Sequence, residues 1–211
     1  IEDQKTWNDK QKTIYNITKN LEVKSILDLA GNAGFYLDLF AHYHKEATDL
    51  ILFDYDEACI DFAFKEKKYN SFVVNFFNIG RNVHGSFAGY EFNFESIEQR
   101  IKGDLVLALA LTHHLVFGQG CSFDLISENL ATVTNRYCLA EFIAKEDIYV
   151  SQWYNEKYHW YNMENFQKAL EKHFVVINIY NSNLKFRKML LCQKIGTESK
   201  NQIVAETKNL N

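Results

Sequence analysis

Asp28, Gly31, Asn32 and Gly34 stand close together in the stretch "SILDLAGNAG". An acid closing an apolar run suits a cation. Glycines in the turn that follows let a ligand approach the backbone and the free amides of the next helix. Asp54, in "FDYD", offers a carboxylate to vicinal hydroxyls, with Tyr55 directly after it. Asn78 ends "SFVVNFFN", and His113 and His114 end "DLVLALALTHH". An imidazole is the side chain that exchanges a proton near neutral pH. Glu141, in "LAEFIAK", is a further candidate base or substrate contact, against the alternative of an ion pair with Lys145 or a neighbour. Adjacent side chains leaving an extended segment point to opposite sides. One histidine is therefore expected to face a ligand, and the apolar Leu115 and Val116 after His114 favour His113.

These residues matter together because of the elements that carry them. "WNDKQKTIYNITKN", residues 7 to 20, has the apolar spacing of an amphipathic helix. Strands are predicted over residues 23 to 29, 49 to 56, 71 to 78, 104 to 111 and 136 to 145. Helical stretches alternate with them, among them "FYLDLFAHYHKE", "EACIDFAFKEKKY" and "SFDLISENLATVT". "ESIEQRI" is predicted as a short helix and residues 79 to 94 as a loop. "FVVINIYNSNLKFRKMLLCQK" reads as two strands around a polar turn, hence an antiparallel hairpin. The pattern predicts an α/β fold, a Rossmann-like doubly wound, mostly parallel sheet ending in an antiparallel C-terminal hairpin. In such a sheet ligands sit beyond the carboxyl ends of the strands. Every residue named above lies there. One domain is expected over residues 1–195, followed by a polar, disordered tail over 196–211.

The chain of 211 residues carries a formal net charge of -4, which argues against a nucleic-acid partner. No apolar run reaches the roughly 20 residues that cross a bilayer, so no membrane partner is expected. Cys59, Cys121, Cys138 and Cys192 are dispersed and form no C-x-x-C pair. Neither a metal site nor a disulfide framework is expected, and reduced thiols point to the cytoplasm. The chain begins at Ile1 rather than Met, which suggests further domains of a longer polypeptide.

The glycine turn lacks the G-x-G-x-x-G spacing that cradles a pyrophosphate. Asp28 is a poor neighbour for phosphate and a good one for an ammonium group. With Asp54 on a ribose, the combination fits a nucleoside that bears a cationic amino-acid tail and no phosphate. S-adenosyl-L-methionine is that ligand. A nicotinamide-binding protein is the rival that the missing third glycine disfavours.

On "WNDKQ", "SILDLAGNAGFY", "FDYDEACI", "ESIEQRIKGDLVLALALTHHL", "LAEFIAKED" and "NFQKALEKHF", the chain resembles class I S-adenosylmethionine-dependent methyltransferases. Within them it is most similar to the bacterial nodulation-type group. The blocks "DLVLALALTHHL" and "EFIAKED" are the specific part. The resemblance implies that Asp28 opens the acidic glycine motif. Ala30 and Asn32 sit where glycines are common, Gly34 takes the last glycine position, and Gly31 is an extra small residue. Asp54 falls on the ribose-binding acid, Tyr55 lies beside the adenine, and Asn78 is near its amine. His113 and His114 face the methyl group and acceptor. The expected function is O-methylation of a small molecule or glycan, the alternative a non-catalytic methyltransferase-like module. Trp153, Tyr154, Tyr158, Trp160 and Tyr161 are candidates for an acceptor lid or for covering the sheet edge.

Overall fold

The computed structural model describes residues 4–67, 69–94 and 96–196. Of the expected polar tail only Gly196 lies within them. The most apolar run forms the middle of the sheet. β6 (Gly103–Ala108) has parallel neighbours on both sides, β1 (Ser25–Leu29) and β7 (Thr134–Ile143). β2 (Asp49–Asp54) and β3 (Asn70–Val73) extend the parallel part outward from β1. On the other side β9 (Arg187–Lys194) runs antiparallel to β7, and β8 (Phe174–Asn181) antiparallel to β9. The sheet order is β3-β2-β1-β6-β7-β9-β8. This is the fold class the sequence predicts, with strand order reversing between β1 and β6.

A strand covered on both faces needs apolar side chains at successive positions. Leu27, Leu29, Ile51, Phe53, Val106 and Ala108 pack on one face, with α4 (Phe123–Val133) and α5 (Met163–Leu170). Ile26, Leu52, Leu105 and Leu107 pack on the other with α1 (Asp9–Thr18) and α2 (Phe35–Tyr43). Asn8 and Gln11 form a reciprocal cap at the start of α1, which is why that helix begins at Asp9 rather than Trp7. Trp7 and Tyr15 then stack edgewise at 5.3 Å, and Tyr15 meets Tyr43 at 4.7 Å, fastening α1 to α2.

Three local expectations are corrected. Residues 79 to 94 are not all loop: β4 (Val83–Phe87) and β5 (Tyr90–Phe94) form a hairpin. Its turn residues, Ala88 and Gly89, both have positive φ (52° and 81°), the conformation whose twist matches paired strands. Ala-Gly lacks the Asn-Gly or Asp-Gly signature, so the turn was not legible. The helix expected after β2 is α only over α3 (Glu57–Phe62) and continues as a π-helical turn, Ala63–Lys67. The third strand stops at Val73, because Asn75 caps a 3-10 turn over Phe76–Asn78. Among the described residues no helix is long and apolar enough to cross a membrane.

Candidate functional site

A cavity of about 600 Å³ opens at the carboxyl ends of β1, β2 and β6. Ala30 and Asn32 line it from the first turn, Asp54 and Tyr55 from the second, and His114 from the segment after β6. Apolar walls come from Phe76, Ile79 and Leu115.

The turn after β1 keeps the left-handed backbone at three successive alternate positions. Ala30 has φ 54°, Asn32 φ 53° and Gly34 φ 79°. Two of these residues therefore carry a side chain where glycine is the easier choice. Hydrogen bonds hold the turn in that shape. The Ala30 amide donates to the Phe53 carbonyl at 2.7 Å, and the Asn32 amide donates to Asp54 Oδ2 at 2.8 Å. The Gly34 amide donates to the Gly31 carbonyl at 2.9 Å.

The two glycines have other reasons to be glycine. A Cβ at Gly31 would stand 2.5 Å from Asp28 Oδ2, so the absent side chain makes room for the buried acid. A Cβ at Gly34 would stand 3.0 Å from the Tyr69 ring, which Asp38 holds through the tyrosine hydroxyl at 2.5 Å. Neither glycine lines the cavity; both let the turn sit tightly on the sheet.

Asp28 is 1% exposed, and its Oδ2 has no hydrogen-bond partner among the described residues. Burial pushes its pKa up to about 7, with Lys10 pulling down and Asp54 pushing up further. Lys10, on α1, donates instead to Glu141 Oε2 at 2.7 Å and lies 5.3 Å from the Tyr36 ring centre. Two buried acids thus feel one buried cation, which bonds only Glu141.

Glu141 is fully buried, with every oxygen engaged. Oε2 also accepts the Ala110 amide at 2.8 Å, and Oε1 accepts Ser182 Oγ at 2.9 Å. The ion-pair alternative holds with a different partner: it is Lys10, across 131 positions of chain, not Lys145. Ala110 has φ 52°, so Glu141 pins a strained residue where the chain leaves β6.

The histidines are placed the other way round from the expectation. His114 lines the cavity and is exposed, while His113 is 5% exposed. Their segment turns helical at once, with a π-helical turn over His114–Gly118, so the two-sided alternation of a strand does not apply. His113 Nδ1 has no partner among the described residues. Burial lowers the His113 pKa to about 3, aided by His114 and Arg187. Burial also lowers that of His114. Asn78 is exposed at the end of its 3-10 turn, and its neighbour Ile79 takes the place on the cavity wall. Lys10 is the site residue that motif reading missed; its amphipathic helix was visible, its inward direction was not. Among the described residues no three His, Cys, Asp or Glu side chains gather as a metal site.

No protein-family model and no curated protein matches the chain. Solved structures do. An S-adenosylmethionine-dependent methyltransferase from Clostridium acetobutylicum superposes with a TM-score of 0.61 at 10% identity, over 92% of this chain and 93% of that one. A SAM-dependent methyltransferase from Aquifex aeolicus gives 0.54 at 15% identity, over 92% and 95%. The fibrillarin pre-rRNA processing protein of Methanococcus jannaschii gives 0.56 at 13% identity, over 90% and 78%. The chain has the fold of class I methyltransferases.

Proposed function

We propose that the chain is an S-adenosylmethionine-dependent methyltransferase acting on a hydroxyl of a small molecule or glycan. The observation that carries this reading is a pair of acids at one sheet edge: Asp54, on the cavity wall and anchored between two turns, and Asp28, buried beneath the turn at Gly31 with an orphaned oxygen. A buried carboxylate oxygen without a partner is costly unless a ligand supplies one. The ammonium of the methionine part fits Asp28, and the ribose hydroxyls fit Asp54. Tyr55, Phe76 and Ile79 offer apolar surface for the adenine. When bound, S-adenosylmethionine supplies an electrophilic methyl group.

The chain's own part is to orient the acceptor, keep water away and receive a proton. His114 stands on the cavity wall with a lowered pKa, so it is neutral at pH 7 and its imidazole accepts the acceptor's hydroxyl proton. Glu141 acts at one remove, by fixing Ala110 beside that histidine. The net charge of -4 supports a small acceptor over a nucleic acid, although one similar structure is a pre-rRNA processing protein. The nodulation-type kinship rests on "DLVLALALTHHL" and "EFIAKED".

The test is transfer of a labelled methyl group from S-adenosylmethionine to a mixed pool of phenols and sugars. Label in an alkali-stable ether product, lost in His114→Ala, is the expected result. Cofactor binding without label transfer to any pool would favour the non-catalytic module.

A further inference from the structure

Resting on that reading of the site, we infer that Trp153 is the platform on which the methyl acceptor stacks, and that the acceptor is a flat aromatic ring bearing a hydroxyl. The aromatic segment after β7 divides in two. Tyr161 is core, 2% exposed, and donates its hydroxyl to the Ile143 carbonyl at 2.7 Å. Tyr158 packs on Phe117 at 4.8 Å and Trp160 on Phe123 at 5.1 Å, so both serve the core as well. Tyr154 lies under the Lys145 ammonium. Trp153 remains, 43% exposed.

Its indole lies nearly parallel to the His113 ring, at 17° and 5.8 Å, and 5.3 Å from the His114 ring. One face of the tryptophan therefore covers the buried imidazole whose Nδ1 has no partner. The same ring borders the histidine that lines the cofactor cavity. A planar ring laid on the exposed part of the indole sits beside His114, the imidazole that takes its hydroxyl proton.

The rim favours an aromatic ring over a sugar. Ile148 and Tyr149 beside it are 70% and 61% exposed. The nearby Asp147 carboxylate is already taken by Arg187 Nε at 2.9 Å and the Tyr149 amide at 3.0 Å. The Gln152 amide donates to the Ile148 carbonyl. A sugar would need such groups for its hydroxyls; an aromatic ring needs a flat apolar partner. The platform is also fixed from below, since Trp153 and Tyr154 amides both donate to the Val150 carbonyl at 3.0 Å.

The experiment titrates 2-naphthol, by calorimetry, into the protein saturated with S-adenosylhomocysteine. Wild type and Trp153→Phe are expected to bind it, and Trp153→Ala about tenfold or more weakly. S-adenosylhomocysteine affinity is expected to be equal in all three, which also reports that the variants are folded. Equal naphthol affinity in Trp153→Ala, or none in wild type, overturns the platform. Tighter binding of methyl glucoside than of 2-naphthol overturns the aromatic acceptor. Failure of S-adenosylhomocysteine to bind wild type removes the cofactor reading beneath both.

Discussion

Asp54 Oδ2 accepts the backbone amide of Asn32 at 2.8 Å, so the acid that ends β2 holds the turn that follows β1. Its other oxygen accepts the Asp56 amide at 2.9 Å. Each carboxylate oxygen keeps a lone pair for a ligand. Asp54 therefore shapes the cavity it lines. Asp54→Ala is expected to weaken S-adenosylhomocysteine about 30-fold or more and to cost about 1–3 kcal/mol of stability, because two amides lose their acceptor. Calorimetry and urea unfolding measure the two effects. Unchanged affinity would place the ribose elsewhere.

On the proposed function, Asp28 makes cofactor binding pH-dependent. Its folded pKa is raised from 3.8 to about 7, chiefly by burial. A raised acid contributes stability at low pH, fully present below 3.8 and lost as pH rises through about 7. Ligand ammonium requires the ionised form, so binding below pH 7 must expel a proton. Affinity is expected to fall by about tenfold per pH unit below that value. Calorimetry in buffers of different ionisation heat should show about one proton released at pH 6. Asp28→Asn should abolish that release and raise apo-protein stability at pH 8 by about 2 kcal/mol. A pH-independent affinity in wild type would remove Asp28 from the ligand.

Ala30 bears left-handed strain that glycine would relieve. A left-handed non-glycine residue costs roughly 1–2 kcal/mol, and glycine returns part of that to the unfolded chain. Ala30→Gly is expected to stabilise the domain by about 0.5–1 kcal/mol with cofactor affinity retained. Destabilisation in a thermal melt would mean that the Ala30 methyl group packs where the turn needs it.

On the proposed function, His114 sets the acid limit of the reaction. His114 has a pKa below its ordinary 6.5. The transfer rate should therefore hold at pH 6.5 and decline only further into acid. His114→Ala should lower the chemical step by about a hundredfold. His113, with a folded pKa depressed to about 3, contributes stability that is present above pH 6.5 and lost as pH falls. An acid limb above pH 6.5, or a normal rate in His114→Ala, would assign the base elsewhere.

The sheet was legible because both-face burial leaves nearly uninterrupted apolar runs, as in β6, and because Asp54 ends β2. Asp54, read from its place at the end of β2, and Tyr55, implied by the resemblance, both line the cavity. What failed did so where geometry is set by other parts of the chain. His113 and His114 were judged by strand alternation, but the backbone enters a π-helical turn at once. The Glu141 partner lies on α1, and no local pattern joins residues 131 positions apart. Asn78 was assigned to a strand that its neighbour Asn75 ends by capping a tighter turn.

The proposed function rests on Asp54, on the cavity wall, and Asp28, beneath the turn, as the two acids of an S-adenosylmethionine site. The most direct measurement is a calorimetric titration of S-adenosylhomocysteine and, separately, of NAD into the wild-type chain at pH 8. Binding of S-adenosylhomocysteine at one site per chain with a micromolar Kd, and no heat from NAD, is the expected result. Binding of NAD, or silence from S-adenosylhomocysteine, would contradict the claim.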